Sequence, residues 1–146
     1  MRVMAALVGV LLLAAGDGER DGVKEETARL EGEWSMVSGE ADGQSLPKDS
    51  VKGGKRVAKD GVTTITLGGM VYLKAKFTID PAKKPKAIDY EMTEGPTKGK
   101  THLGIYELDG DTVKFCFAAP GAARPTEFTA PAGSRRTLSV WKRDKK

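Results

Sequence analysis

From Met70 to Asp80, Val71, Leu73, Ala75, Phe77 and Ile79 alternate with Tyr72, Lys74, Lys76 and Thr78. A period of two places the first set on one face of an extended strand and the second on the other. A helix would need apolar residues both three and four apart, but the positions three on from Val71, Leu73, Ala75 and Phe77 are Lys74, Lys76, Thr78 and Asp80. The same grammar recurs along the chain. Glu33–Gly39 carries Trp34 and Met36 on one face, and Val62–Leu67 is rich in β-branched residues. Ala87–Thr93 sets Ile88, Tyr90 and Met92 opposite Asp89 and Glu91. Thr101–Leu108 and Thr112–Ala118 face each other across Asp109-Gly110, with Val113, Phe115 and Phe117 inward. Lys55–Lys59 is a weaker strand, and Arg136–Lys142, carrying Leu138 and Val140, is the last.

Turn signals separate these runs about every 8–12 residues, the spacing of an all-β sandwich or barrel. Asp60-Gly61 is a strong hairpin signal, because a type I′ turn needs positive φ at both central positions. Gly68-Gly69 makes the next turn, and Asp42–Gly54, Asp80–Lys86 and Pro120–Ser134 read as loops. The expected fold is all-β: about eight antiparallel strands in an up-and-down barrel, which leaves no exposed edge. Two packed sheets are the alternative. At 146 residues there is room for one domain of this kind, taken as residues 30–143, with a basic tail at 144–146.

The N-terminus is of a different character. Residues 1–16 read MRVMAALVGVLLLAAG, with Arg2 ahead of an apolar run and small Ala14 and Gly16 before a cleavage point. This is the pattern of a secretory signal peptide, too short for an ordinary membrane span. An uncleaved anchor and a buried helix are the alternatives. The expected location is therefore exported, periplasmic or extracellular, with no integral span once the signal is removed. Residues 17–29 form a leader in which Val23–Leu30 has the spacing of a short helix.

Charge and rare residues narrow the chemistry. The net charge is +4, but Arg2 and the C-terminal Lys142-Arg143-Asp144-Lys145-Lys146 supply it. The body between them holds equal numbers of basic and acidic residues, which does not describe a nucleic-acid-binding face. One Cys and one His exclude a disulfide framework and a multi-histidine metal centre. Cys116 has no resolving partner and reads as a buried or half-buried free thiol. Gly95–Thr101 lacks the spacing and the following helix of a phosphate-binding loop. Asp109-Gly110-Asp111 lacks the remaining ligands of a calcium loop, so it reads as a turn. Asp89, Glu91 and Glu94 have no evident cleft for paired-carboxylate chemistry. His102 stands at the start of a strand without a nucleophile motif. No catalytic residue, metal or cofactor is expected.

Gly32-Glu33-Trp34 opens the first strand. Gly permits a tight entry, and Trp closes one end of a small barrel. A basic side chain from the last strand would lie over the indole. Arg136 and Arg143 are the candidates. Arg136, inside the expected strand, joins Gly32 and Trp34 as the structural signature, while Arg143 falls near or beyond the strand's end.

Gly32-Glu33-Trp34 resembles the Gly-x-Trp signature of lipocalins. Across Leu30–Arg143 the chain resembles, more specifically, an uncharacterised lipocalin-like domain family expanded in planctomycete bacteria. The resemblance rests on Leu30-Glu31-Gly32-Glu33-Trp34, Asp42-Gly43, Leu46-Pro47, Ile79-Asp80-Pro81, Lys84-Pro85-Lys86, Ile88-Asp89, Glu94-Gly95-Pro96 and Lys98-Gly99-Lys100. It continues through Gly104–Asp111, Cys116, Pro120-Gly121 and Arg124–Phe128. It implies an exported lipocalin-like barrel and carries no activity or cofactor with it. Val51–Val57 is more basic than a typical second strand, which places an edge or opening of the barrel in question there.

Two functional readings follow. The leading one is a non-enzymatic structural or interaction module, a monomer that contacts an envelope protein partner through its loops. The alternative is a carrier of a small apolar ligand inside the barrel, with Phe77, Tyr90, Leu103, Phe115 and Phe117 as the inward, ligand-binding candidates. The same five side chains would serve a solid core, so an internal cavity decides between the readings.

Overall fold

The computed structural model describes residues 21–145. The expected signal segment, residues 1–16, lies outside them. A first helix, α1, spans residues 21–30. Nine strands follow: β1 (Gly32–Ala41), β2 (Gln44–Ser45), β3 (Lys55–Lys59), β4 (Val62–Leu67) and β5 (Met70–Asp80), then β6 (Lys86–Glu94), β7 (Thr101–Asp109), β8 (Thr112–Phe117) and β9 (Thr137–Arg143). A short helix, α2 (Lys48–Lys52), sits between β2 and β3.

Each strand pairs antiparallel with its neighbour, and β9 pairs back onto β1, from Trp34↔Arg143 to Ala41↔Thr137. The sheet thus closes into an eight-stranded barrel, with β2 a two-residue flap on the end of β1. Closure leaves every strand of the wall paired on both sides. The up-and-down barrel expected from the alternation is therefore the observed fold, and two separate sheets are ruled out.

Local chemistry sets the turns. Asp60 and Gly61 both have positive φ, 53° and 77°, the conformation that the Asp-Gly pair favours. The expected loop at Asp42–Gly54 is more structured than its composition suggests. Pro47 has the fixed φ that suits a helix start, and α2 follows it directly. The basic stretch at Val51–Val57 is accordingly strand only from Lys55; it spans the end of α2 and the start of β3. No helix among the described residues is long and apolar enough to cross a membrane.

The register defines the interior. Trp34, Arg56, Ala58, Thr63, Ala75, Phe77, Ile88, Tyr90, Met92, Tyr106, Val113, Phe115 and Trp141 are all buried. Leu30 at the end of α1 joins the same cluster. Alternation is as expected in β6 and in β5 from Leu73 on, with Phe77↔Tyr90 and Ile79↔Ile88 side by side on the inner face; a register shift between Ile65 and Thr66 leaves Val71, expected inward, exposed. In β7 it is not. Tyr90 pairs with His102 and Ile88 with Gly104, so the inward residues are His102, Gly104, Tyr106 and Leu108. Leu103 therefore faces outward, correcting its placement among the inward candidates. In β9 the inward residues are Ser139 and Trp141, opposite Phe115 and Val113.

Candidate functional site

One end of the barrel is sealed. Gly32 has φ 117°, a conformation that L side chains rarely adopt, and it turns the chain from α1 into β1. Trp34 is fully buried and donates its indole N–H to the Leu30 carbonyl at 3.1 Å. The Arg143 guanidinium lies over the Trp34 ring at 4.2 Å. It donates to the carbonyls of Glu31 at 2.9 Å and Arg29 at 2.6 Å, around the C-terminal end of α1 where helix carbonyls lack partners. Glu26 of α1, itself buried, meets Lys86 at 2.7 Å and accepts a hydrogen bond from the Tyr106 hydroxyl at 3.3 Å. Burial, then the neighbouring Glu26 charge, raises the Tyr106 pKa well above the ordinary tyrosine value.

Arg143, not Arg136, thus completes the signature with Gly32 and Trp34. Strand β9 starts at Thr137, one residue later than expected, and extends to Arg143. Arg136 instead lies outside the strand, where its charge acts on Cys116. Burial nevertheless pushes the Cys116 thiol above its usual value, and the thiol is bonded to the Thr129 carbonyl at 3.4 Å. It has neither the exposure nor the lowered pKa of a reactive cysteine.

The other end is hollow. A cavity of about 400 Å³ opens to solvent there. That falls within the range of roughly 300–1,000 Å³ typical of small-molecule sites. Its walls are mainly apolar, with Met36, Ile65, Leu73, Met92, Phe117 and Trp141 among them. Pro96, Thr97, Pro120 and Arg135 come from the loops at the mouth. The β4–β5 hairpin stands at this rim and exposes Met70, Val71 and Tyr72; Tyr72, expected toward solvent, also borders the cavity.

The five inward candidates divide unevenly. Tyr90 and Phe117 line the cavity, with their rings 4.2 Å apart. A side chain at Gly104 would collide with the Phe117 ring, so the glycine leaves room for this pairing. Phe77 and Phe115 belong to the packed core and do not border the cavity. Leu103 is on the outer wall.

Between the filled and hollow halves lies Arg56, which sequence reasoning passed over. It is 2% exposed, opposite Trp34 of β1 and Ile65 of β4. Its guanidinium stacks on Phe115 at 4.0 Å, with Tyr90 at 5.6 Å and Trp141 at 5.9 Å. Among the described residues its hydrogen bonding is limited to Thr63 Oγ1, at a long 3.5 Å. None of the ion pairs there includes it. Arg56 Nε and the Tyr90 hydroxyl are both buried without a partner. Burial lowers the arginine's pKa, and the nearby Tyr90 oxygen partly offsets this. His102 also borders the cavity, but both ring nitrogens are engaged at 2.9 Å, by Thr97 Oγ1 and the Ala118 carbonyl.

The long Pro120–Ser134 loop does not project. Arg124 reaches the Gly104 carbonyl at 2.8 Å, the Ile88 carbonyl at 3.3 Å and Asp89 at 2.8 Å. Ala130 is buried, and its carbonyl accepts from the Gly43 N–H at 2.6 Å. The loop is a strap over the outer wall of β6–β8. No group of three or more His, Cys, Asp or Glu side chains among the described residues is placed to hold a metal ion.

No protein-family model, no curated protein and no solved structure matches this chain.

Proposed function

We propose that the protein is an exported, non-enzymatic carrier that takes a small, largely apolar molecule into the open half of its barrel. The hollow upper half carries this reading. An eight-stranded barrel can fill itself with side chains or leave space for one ligand, and here it does each at opposite ends. The wall is a closed sheet, so most of the space is bounded by paired strands and the loops contribute only its mouth. Export rests on the pattern of residues 1–16 and on the resemblance to the lipocalin-like family, which implies an exported barrel and no activity.

Native mass spectrometry of the protein purified from its own source tests the carrier reading. A co-purifying small molecule, displaced by a neutral solvatochromic dye, is the expected result. Met92→Trp, which fills part of the cavity from its wall, should abolish dye binding while the fold persists. Equal dye binding by the parent and Met92→Trp would place the dye elsewhere and remove the reading.

The interaction-module reading keeps one specific observation, the exposed Met70, Val71 and Tyr72 at the hairpin tip, with Met70 75% exposed. Loss of a captured envelope protein on substituting these three with Ser would favour it. The strap formed by Pro120–Ser134 argues against the long loop as the contact, because Arg124 and the carbonyls of Thr129 and Ala130 tie it down along its length.

A further inference from the structure

A guanidinium taken out of water loses its hydration, and proteins recover it with a carboxylate or with a full set of hydrogen-bond acceptors. Arg143 has two carbonyls. Arg56, more deeply buried, has one long bond to a threonine hydroxyl and an unpartnered Nε. Aromatic faces around it supply some compensation through cation–π contact, but a ring face is only a weak acceptor for an N–H beside an oxygen. The Tyr90 hydroxyl, a second unpartnered polar group, belongs to the same cavity wall. A carboxylate oxygen is the kind of acceptor that both groups lack.

The surroundings define what carries that oxygen. Arg56 and Tyr90 line the cavity, and Phe115, on which Arg56 stacks, lies below it. The guanidinium is therefore the cavity's floor. From it to the mouth the walls are mainly apolar. The one carboxylate of the lining, Glu40, lies toward the far end of β1 from Trp34, the residue that faces Arg56. The one other guanidinium of the lining, Arg135, comes from the loop before β9 at the mouth. A single planar cation at the floor matches a singly charged, planar anion, and a guanidinium binds a carboxylate through two parallel hydrogen bonds. A phosphate dianion would bring a second charge that the floor does not balance.

Building on the carrier reading, we propose that the ligand is a carboxylate with one apolar tail, bound head-inward. Arg56 and the Tyr90 hydroxyl receive the head group at the cavity floor, and the tail runs toward the mouth along Met92, Phe117 and Leu73. Specificity then resides in the head group, since the apolar wall discriminates tails only by length and bulk.

Binding of decanoate, decanol and decylammonium to the delipidated full chain, measured by calorimetry below their micelle concentrations, tests this. Decanoate should bind about 10- to 100-fold more tightly than decanol, the range expected for one charge-assisted contact in a dry site. Decylammonium should bind least. Arg56→Met should erase the preference for decanoate while decanol still binds, which also shows that the variant is folded. Arg56→Lys should keep part of the preference, and Tyr90→Phe should reduce it less than Arg56→Met does. Arg135→Gln should leave it in place.

The outcomes separate the two ideas. Equal binding of decanoate and decanol by the parent chain overturns the head-group proposal and leaves the carrier reading standing. Loss of the preference in Arg135→Gln rather than Arg56→Met places the head group at the mouth and likewise overturns it. If none of the three amphiphiles nor the neutral dye binds, the carrier reading falls and takes the proposal with it.

Discussion

The two ends of this barrel use the same pair of residue types to opposite effect. At the sealed end a tryptophan, Trp34, lies under an arginine, Arg143, whose N–H groups serve the end of a helix. At the open end a tryptophan, Trp141, lies beside an arginine, Arg56, whose N–H groups go largely unserved. The first arrangement is a structural clamp: two guanidinium nitrogens have carbonyl acceptors, Nε lies 3.8 Å from Asp111, and the indole N–H is bonded to the Leu30 carbonyl. The second is polar capacity left over inside an apolar chamber. An arginine over an aromatic ring is therefore not by itself a sign of function. The acceptors around the guanidinium distinguish the two roles.

Substitutions can break this contrast, and the largest effect belongs to the clamp. Trp34→Ala removes the plug, its packing against Leu30 and its hydrogen bond, and should cost about 3–5 kcal/mol in denaturant unfolding. Arg143→Met should cost about 2–3 kcal/mol, since the stacked cation and two carbonyl contacts are lost together. Arg56→Met should do the reverse, leaving stability unchanged or raising it by about 1 kcal/mol, because an incompletely compensated buried charge is replaced by an apolar chain of similar length. Equal destabilisation by the two arginine substitutions would show that Arg56 is as structural as Arg143.

A smaller effect follows from Tyr106. Its pKa is raised in the folded protein, so its hydroxyl stays protonated where an unfolded tyrosine begins to ionise. Stability from this source is complete below the unfolded value, about 10, and falls as pH rises above it. Stability measured between about pH 9 and pH 11 should decline for the parent chain and decline less for Tyr106→Phe. The sealed end, where Tyr106 meets Glu26, should loosen first. An identical alkaline decline in both proteins would remove Tyr106 as its source.

Sequence reasoning reached the fold because the strands with one covered face are unambiguous. Met70–Asp80 alternates cleanly, and Asp60-Gly61 permits little besides its tight turn. It failed on β7 because both faces there are covered. His102, Gly104 and Tyr106 face the interior, while Leu103 and Ile105 face outward in the region crossed by the Pro120–Ser134 strap. An apolar pattern cannot tell core from strap. Arg136 was preferred over Arg143 because a one-residue change in where β9 starts and ends exchanges a strand residue for a loop residue.

The missed residue of most consequence, Arg56, sits in Lys-Arg-Val-Ala-Lys, where polarity points Val57 inward. The register does the opposite: Val57 is 41% exposed and Arg56 is enclosed. The available signal was small Ala58, which shares the inner face with Arg56 and leaves room in the packed half of the barrel. The cavity itself had no sequence signature. Phe77, Tyr90, Phe115 and Phe117 are alike in type, and only the register separates the two that line the cavity from the two beneath it.

The chain's two tryptophans, one in the sealed half and one beside the cavity, give the most direct test of the central claim. Titrating a long-chain carboxylate brominated along its tail, a contact quencher of indole fluorescence, into Trp34→Phe reads Trp141 alone. The same titration into Trp141→Phe reads Trp34 alone. A ligand held in the open half with its carboxylate on Arg56 should quench Trp141 saturably and leave Trp34 bright. Equal quenching of both, or none of either, would contradict a barrel sealed at one end and built to hold a ligand at the other.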